Sequence, residues 1–172
     1  MFKFIILLMI FLCFCYIGYS YGDKFGKRHK RLKDILKSII LLQNEVIYNL
    51  APLPEALFSI GAKSKMPLSK LFVNVADILL KGDGENVYEA FKAEYIKEKE
   101  LYYLLEEDER VLGDFLRSLG ELGVYGQDKM FDLVFANLNI NIKEAEIISK
   151  KNTKLYRYLG VCIGAMIVIF LL

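Results

Sequence analysis

Three kinds of residue in this chain could carry chemistry: one histidine, three cysteines and many carboxylates. His29 is the only histidine, and Cys13, Cys15 and Cys162 all lie within apolar stretches. A zinc site needs several Cys or His ligands in one place, and this set cannot assemble them. A Ser–His or Cys–His pair is equally unexpected, because its base would have to be His29.

The carboxylates offer a second route to catalysis, and Glu94, Glu98 and Asp108 could in principle pair as acid and base. Catalytic carboxylates need burial to shift their pKa. Carboxylates on charged helices are mostly solvated or paired with a base one turn away. We therefore expect no catalytic, cofactor-binding or metal-binding residue, and we expect that the protein is not an enzyme.

The charges are unevenly distributed, although the 172-residue chain has a formal net charge of only +2. Residues 23–33 hold six bases and one acid, whereas residues 83–114 hold eleven acids and four bases. This acidic stretch predicts a docking surface for a basic partner, the alternative being an ordinary solvated helix face. The candidate docking residues are Asp83, Glu85, Glu89, Glu106, Glu107, Asp108 and Glu109. Nucleic-acid binding is not expected, because the bases flank apolar segments.

Two apolar segments, Phe4–Ile17 and Leu155–Leu172, are candidates for membrane helices. Bases follow the first segment and precede the second, so the positive-inside rule places the middle of the chain in the cytoplasm. We expect transmembrane helices at 1–22 and 155–172 and a cytoplasmic helical bundle at 23–154. The last bundle helix runs into the second segment without a linker. Gly18-Tyr19-Ser20 also resembles a signal cleavage site, so a cleaved first segment stays an alternative.

Four glycines at small-xxx-small spacing occur in or beside these apolar segments: Gly18, Gly22, Gly160 and Gly164. Such spacing lets two helix backbones approach closely. In the predicted topology Gly18 and Gly160 lie at similar depth, which favours an antiparallel helix pair. The alternative is that glycine is simply common in membrane helices.

The segment between them has helical periodicity throughout and no period-two alternation, so the fold class is all-α. Six helices are predicted: Lys27–Leu50, a short one from the Ala51–Leu57 junction to about Gly61, Leu68–Leu79, Asn86–Lys99, one starting at Glu106, and one from Gln127 onward. Proline in a first turn and glycine after a last turn mark most of these boundaries. The prediction is a six-helix bundle between two transmembrane helices.

Three sequence features resemble the stage III sporulation protein AB family of endospore-forming bacteria, and the resemblance is nearly end to end. They are the junction Ala51–Leu57, the pair Leu119-Gly120 followed by Gln127 and Lys129, and the stretch Asn152–Gly160 before the terminal apolar run. One departure is that Gly123 stands where the family usually has Asp. Another residue, such as Gln127 or Asp128, is then expected to cap the last helix.

The resemblance implies a fold similar to the cytoplasmic domain of the type II secretion F-protein, the inner-membrane platform protein. It implies a place in the channel between mother cell and forespore, in the outer forespore membrane on the mother-cell side. The expected partners are the lipid bilayer, the cytoplasmic secretion-type ATPase called the AA protein, and other channel proteins of the operon. The alternative function is a structural protein that self-associates into a homo-oligomeric ring. The family offers no catalytic or binding residues to transfer.

Overall fold

The computed structural model describes residues 2–82, 86–121 and 124–171, and within these ranges all regular structure is helical. The six α-helices are α1 (Phe2–Gln43), α2 (Leu53–Lys63), α3 (Leu68–Lys81), α4 (Val87–Lys97), α5 (Glu106–Glu121) and α6 (Val124–Leu171). A π-helical turn at Asn44–Tyr48 follows α1, and a 3₁₀ turn at Lys99–Leu101 follows α4. The predicted all-α class with six helices is confirmed.

The first and last helices are longer than the sequence suggested. We expected a first apolar helix ending near Tyr21 and a separate one from Lys27, but α1 is one continuous helix of 42 residues. Gly18, Gly22 and Gly26 each cost the helix only about 1 kcal/mol, and packing against a second helix can offset this cost. Helix α6 has 48 residues and begins at Val124. Gln127 and Asp128 therefore lie inside the helix, and neither is its cap.

The shorter helices begin and end at the residues that the sequence marked. Helix α2 follows Pro52 and has Pro54 in its first turn. Gly82 closes α3 in the left-handed conformation, with φ of 71°. Asn86 caps α4, because its side chain accepts a hydrogen bond from the Glu89 backbone N–H at 2.9 Å. The predicted turn residues 83 and 84 lie outside the described residues.

The chain forms two compact units, which are described separately. Unit 1 consists of Met1–His29 and Lys143–Leu172, and unit 2 is Lys30–Ile142. Helices α1 and α6 contribute residues to both units. The division falls at 29/30 and 142/143, so unit 2 is shorter than the bundle predicted at 23–154. That domain prediction stays a prediction.

Unit 2 has an apolar core to which all six helices contribute. Helix α2 packs on α3, α3 on α4 and α4 on α5. The rings of Phe115 and Phe131 meet edge to face with centroids 5.1 Å apart, joining α5 to α6. The most deeply buried apolar residues include Leu32, Leu42, Leu57, Ile60, Val75, Phe131 and Leu138. This core fixes the positions of the surface residues described next.

Candidate membrane and docking surfaces

Gly18 of α1 and Gly160 of α6 form a close backbone contact in unit 1. A Cβ atom placed on Gly18 would lie 2.8 Å from the Gly160 Cα and 2.8 Å from the Tyr156 carbonyl oxygen. A Cβ on Gly160 would lie 2.9 Å from the Phe14 carbonyl oxygen. These neighbours are backbone atoms, which cannot rotate away, so only glycine fits at either position without moving a helix.

The other two predicted glycines also face this contact. A Cβ on Gly22 would lie 3.2 Å from the Thr153 carbonyl oxygen, and the Thr153 hydroxyl donates to the Gly22 carbonyl oxygen at 3.0 Å. A Cβ on Gly164 would lie 3.1 Å from a ring carbon of Phe11, which is a side-chain neighbour. All four glycines therefore face a contact within one chain, and a ring built through them would have to displace it.

Aromatic and charged residues cluster where the apolar part of the helix pair ends. The rings of Tyr21 and Phe25 lie 5.2 Å and 5.4 Å from the Tyr156 ring. The Arg157 guanidinium pairs with Asp23 at 3.2 Å and lies 4.3 Å from the Tyr19 ring centroid. Tyrosines beside basic residues are typical of the membrane–water interface.

Among the described residues, two helices are long and apolar enough to cross a membrane, within Phe4–Tyr48 and Asp128–Leu171. In the most apolar 18-residue stretch of each helix, only 11% is buried within the protein. Most of their apolar side chains therefore face outward, including Phe4, Leu8, Met9, Met166, Ile169 and Phe170. A core helix of a water-soluble protein would have this surface covered by protein.

The docking prediction is wrong for Asp108, because its side chain is fully buried. One carboxylate oxygen accepts a hydrogen bond from the Asn141 amide at 2.8 Å, and the other accepts from the Leu105 backbone N–H at 3.0 Å. Asp108 is the third residue of α5, so the second bond satisfies an N–H that the helix leaves open. Its role is to hold α5 in place, and no partner can reach it.

The remaining acidic candidates differ in how accessible their carboxylates are to a docking partner. Glu109 is half-buried and accepts hydrogen bonds from the Tyr95 hydroxyl at 2.9 Å and the Lys99 ammonium at 2.8 Å. Glu89, Glu106 and Glu107 are exposed. Residues 83 and 85 lie outside the described residues, so their part in docking stays a prediction.

The exposed acids do not form one surface. The bonds of Glu109 place the start of α5 beside the end of α4. At the start of α4, the Tyr88 hydroxyl accepts a hydrogen bond from Arg117 at 2.8 Å. Glu106 and Arg117 are eleven residues apart in α5, which is about 16 Å of helix. Glu89, next to Tyr88, therefore lies far from Glu106 and Glu107, and the single acidic face expected from the sequence is divided between two ends of unit 2.

The carboxylates that could have paired for catalysis are also apart. Glu94 bonds to Lys97 and to the Asn74 amide, and Glu98 bonds to Lys70. The hydrogen bond from Lys97 is the main reason that the pKa of Glu94 is lowered, against the effect of burial. Each carboxylate thus has a base or an amide as its partner. Among the described residues no group of three or more His, Cys, Asp or Glu could hold a metal ion.

Sequence reasoning missed a polar cluster around Glu45, in the π-helical turn. Its carboxylate accepts hydrogen bonds from Asn49 at 2.9 Å, Ser59 at 2.7 Å and Lys63 at 3.0 Å. These bonds, led by the one from Asn49, lower the pKa of Glu45 to about 2. Two of the donors lie on α2, so no local pattern marks the site. The cluster fastens the end of α1 to α2.

A model of the family described as "Stage III sporulation protein AB" matches residues 3–172 of the chain. The chain belongs to the stage III sporulation protein AB family. Stage III sporulation protein AB of Bacillus subtilis (strain 168) is 24% identical over 155 residues, which cover 90% of each chain. A solved structure of a stage III sporulation protein AB has a TM-score of 0.65 at 24% identity, covering 71% of this chain and 95% of its own. That likeness supports the fold.

Membership of the stage III sporulation protein AB family gives the chain a role in sporulation. The family model, the relative and the solved structure all carry the name of a sporulation protein, and none carries the name of an enzyme. Two helices that could span a membrane are consistent with a membrane-associated member of that family.

This family member also has a groove of mixed polar and apolar lining between α5 and α6 of unit 2. Its volume is about 330 Å³, and it is lined by apolar residues such as Leu133 and Ile140 and by polar residues such as Arg110, Asp114 and Asn137. Leu133 and Ile140 are exposed although they are large and apolar. They are seven residues apart and so lie on one face of α6.

Proposed function

We propose that this stage III sporulation protein AB family member is a non-enzymatic membrane platform for a cytoplasmic secretion-type ATPase, the AA protein, at the sporulation channel. The observation that carries the proposal is the continuity of α1 and α6, which each extend from an apolar segment into unit 2. A flexible Gly/Ser- or Pro-rich linker would dissipate a mechanical load, and neither helix contains one. A platform that withstands the force of an ATPase needs continuous helices of this kind between its membrane segments and its bundle.

The topology of the proposal follows from charge. The bases Lys24, Lys27 and Arg28 follow the first apolar segment, and Lys154 and Arg157 precede the second. Positive flanks stay in the cytoplasm, so unit 2 would face the mother-cell cytoplasm, where the ATPase is available. The proposal fails if unit 2 faces the other side of the membrane.

For the docking surface we propose the segment that connects α3 to α4, together with the start of α4. Exposed Glu89 lies in the first turn of α4, and the sequence adds Asp83 and Glu85 just before it. Glu106 and Glu107 belong to the other end of unit 2, beside the residues where α1 enters it.

The test is binding of the AA ATPase to the full chain in lipid nanodiscs, with a salt titration. We expect saturable binding that weakens as salt rises, because exposed charges are screened. Replacing Asp83, Glu85 and Glu89 together by lysine should lower the affinity by roughly tenfold or more, at a few tenths to 1 kcal/mol per exposed pair plus repulsion. The matched control is the Glu106→Lys/Glu107→Lys variant, which should bind nearly as the unaltered chain does. No binding by the unaltered, folded chain would overturn the proposal.

The groove between α5 and α6 favours a second candidate, a structural protein that self-associates into a ring. A second copy could cover Leu133 and Ile140, which the chain itself leaves exposed. The Leu133→Glu/Ile140→Glu variant should then reduce the mass of the particle measured by native mass spectrometry. Asn139→Glu, an exposed neighbour on α6, is the control. An unchanged mass would remove this candidate and leave ATPase docking unaffected.

A further inference from the structure

Basic residues are concentrated in unit 1, just beyond its two apolar segments. Residues 22–29 of α1 and 150–158 of α6 contain seven lysines and arginines and one acid, Asp23. With His29 neutral, these two stretches carry a net charge of +6, whereas the whole chain has a formal net charge of only +2. We call the two stretches together the basic collar.

The two stretches of the basic collar lie at the same level of the helix pair. The Thr153 hydroxyl donates a hydrogen bond to the Gly22 carbonyl oxygen at 3.0 Å. Lys24 is two residues from Gly22, and Lys154 is next to Thr153. At a rise of about 1.5 Å per residue, the two lysines therefore begin within about 3 Å of this contact along the helix axes. The charges of the two helices act on the same layer of the surroundings.

Some bases of the collar are engaged within the protein. The Arg157 guanidinium pairs with Asp23 at 3.2 Å, and the Lys150 ammonium pairs with Glu146 at 2.6 Å. Arg28 is buried. These contacts hold the two helices and partly neutralise the charges that take part in them.

Three lysines of the collar differ from these bases. Lys24, Lys151 and Lys154 are exposed. None of them forms an ion pair with a carboxylate among the residues that the structure describes. The Lys24 ammonium lies 4.9 Å from the centroid of the Tyr21 ring, one of the tyrosines where the apolar part of the pair ends. A lysine ammonium has three donors and no acceptor, so an oxygen-rich anion is the ligand that suits it.

The lysines lie close to the ends of the apolar segments. Lys24 is seven residues after Ile17, and Lys154 is five residues before Leu159, where the charge-free run of α6 begins. These separations are about 10 Å and about 8 Å of helix. The headgroup layer occupies roughly 5–8 Å on each side of the hydrocarbon core, and a lysine side chain extends its ammonium toward that layer. The placement follows from unit 1 alone, because the same two helices contain the apolar segments and the lysines.

We propose that the basic collar binds the headgroups of anionic phospholipids, with Lys24, Lys151 and Lys154 donating to their phosphate oxygens. The inference rests on the membrane integration in the proposed function and adds a ligand to it. The ligand class is a phospholipid of net negative charge, such as phosphatidylglycerol, because bases beside the headgroup layer attract it more strongly than a zwitterionic lipid. The competing explanation is that the bases only orient the helices during insertion, which selects no lipid.

The chain contains no tryptophan, so a single introduced tryptophan reports on the lipid beside it. The reporter is Tyr158→Trp in the full chain, because Tyr158 is 71% exposed and is next to Arg157. The vesicles contain equal amounts of phosphatidylcholine and phosphatidylglycerol, and either one or the other carries brominated acyl chains, which quench tryptophan on contact. The ratio of quenching by brominated phosphatidylglycerol to quenching by brominated phosphatidylcholine measures the lipid preference at the collar.

Two further reporters complete the measurement. Tyr16→Trp, at a position of α1 that is 73% exposed, repeats it from the other helix if the first variant does not fold. Met166→Trp lies within the apolar run of α6 and reports on membrane integration itself.

We expect a quenching ratio of roughly two or more at physiological salt. Each base near an anionic surface favours anionic lipid by roughly fivefold, and the reporter averages this over neighbouring lipids that touch no lysine. In about 1 M sodium chloride the ratio should fall toward one, because the screening length is then only about 3 Å.

Charge variants should move the ratio in both directions. The Lys24→Gln/Lys151→Gln/Lys154→Gln variant should lower it to about one, whereas Asp23→Asn should raise it, since that change removes the only acid of the collar. A general loss of structure could not produce opposite shifts. The matched control is Lys81→Gln/Lys92→Gln/Lys129→Gln, which removes the same charge from exposed positions of unit 2 and should leave the ratio unchanged.

Several outcomes would overturn the inference. If Met166→Trp is quenched by both lipids while the unaltered collar gives a ratio of one, the inference is wrong and membrane integration stands. If neither lipid quenches Met166→Trp, membrane integration fails, and the inference fails with it. An equal fall in the ratio for both triple variants would show that total charge, and not the collar, selects the lipid. Loss of the preference in sodium phosphate but not in sodium chloride of equal ionic strength would assign the collar to free phosphate instead.

Discussion

The buried carboxylate of Asp108 in α5 accepts a hydrogen bond of 2.8 Å from the part-buried amide of Asn141 in α6. The same carboxylate accepts the Leu105 N–H, so it joins the start of α5 to α6 and to the α4–α5 loop at once. A buried carboxylate is costly unless its lone pairs are used, and here both oxygens have partners. The bond thus fixes the end of unit 2 at which the chain enters and leaves.

Replacing Asp108 by alanine should destabilise the protein by about 2–4 kcal/mol. The change removes the acceptor of two part-buried donors, the Leu105 N–H and the Asn141 amide, and each orphaned group costs about 1–3 kcal/mol. Thermal unfolding in detergent micelles measures the loss. Exposed Glu107→Ala, one residue away, should stay within about 0.5 kcal/mol of the unaltered chain. Equal effects of the two changes would show that the buried bonds contribute little.

Gly18→Ala should separate α1 from α6, whereas Gly26→Ala in the same helix should not. The new methyl at position 18 would lie 2.8 Å from two backbone atoms, while at position 26 it would lie 3.7 Å from the Ser149 hydroxyl oxygen, an ordinary contact. We expect a loss of about 1–3 kcal/mol for Gly18→Ala. Gly26→Ala should be neutral or gain up to about 1 kcal/mol from helix propensity. Thermal melts of both variants in micelles check this, and similar melting temperatures would contradict the close approach.

Arg31→Lys should loosen the α2–α3 loop (residues 64–67) and the α4–α5 loop (residues 98–105), because the Arg31 guanidinium donates to the carbonyl oxygens of Met66 and Leu101, both at 3.3 Å. A lysine ammonium is a point charge without the planar fork, so it cannot keep both carbonyl bonds in this geometry. We expect a loss of about 1–3 kcal/mol and faster hydrogen exchange at residues 64–67 and 98–105. Lys33→Gln, an exposed neighbour on α1, is the control for a general effect of altering a base. Unchanged exchange in both loops would show that Arg31 is not their anchor.

Glu45 should make stability depend on pH in the acid range. Its pKa is lowered from the ordinary 4.5 to about 2 in the folded state, led by the Asn49 hydrogen bond and followed by those from Ser59 and Lys63. A lowered carboxyl pKa contributes stability that is present above pH 4.5 and is lost as the pH falls toward 2. Glu45→Gln removes this contribution, so its melting temperature should fall less steeply between pH 4.5 and pH 2. Parallel pH curves for the two proteins would contradict the assigned shift.

Much of the fold could be predicted from local chemistry, because the signals that end helices are local. Pro52, Pro54, Gly82 and Asn86 stand where a cap or a turn is needed, and the structure places helix boundaries at each. The continuity of α1 could not be predicted in this way. Whether three glycines interrupt a helix depends on a partner helix more than a hundred residues away.

The burial of Asp108 could have been predicted from periodicity. It precedes Leu112 by four residues and Phe115 by seven, so it lies on the stripe that α5 buries. Composition hides this signal, because Asp108 stands within the acidic run of residues 106–109. The Arg31 anchor carries no such signal, because its acceptors are backbone carbonyls in distant loops. The Glu45 cluster likewise depends on how α2 returns past the end of α1.

The hydrogen bond from Thr153 to Gly22 joins residues that are 131 positions apart. A ribosome adding roughly 5–20 residues per second needs about 7–26 s to make the intervening chain. Throughout that interval the glycine face of the first apolar helix is not yet covered by α6. The insertion machinery or lipid has to shield that face until its mate is synthesised. A chain truncated before Thr153 could not pair α1 with α6. Its exposed glycine face would then be available for recognition by the degradation machinery.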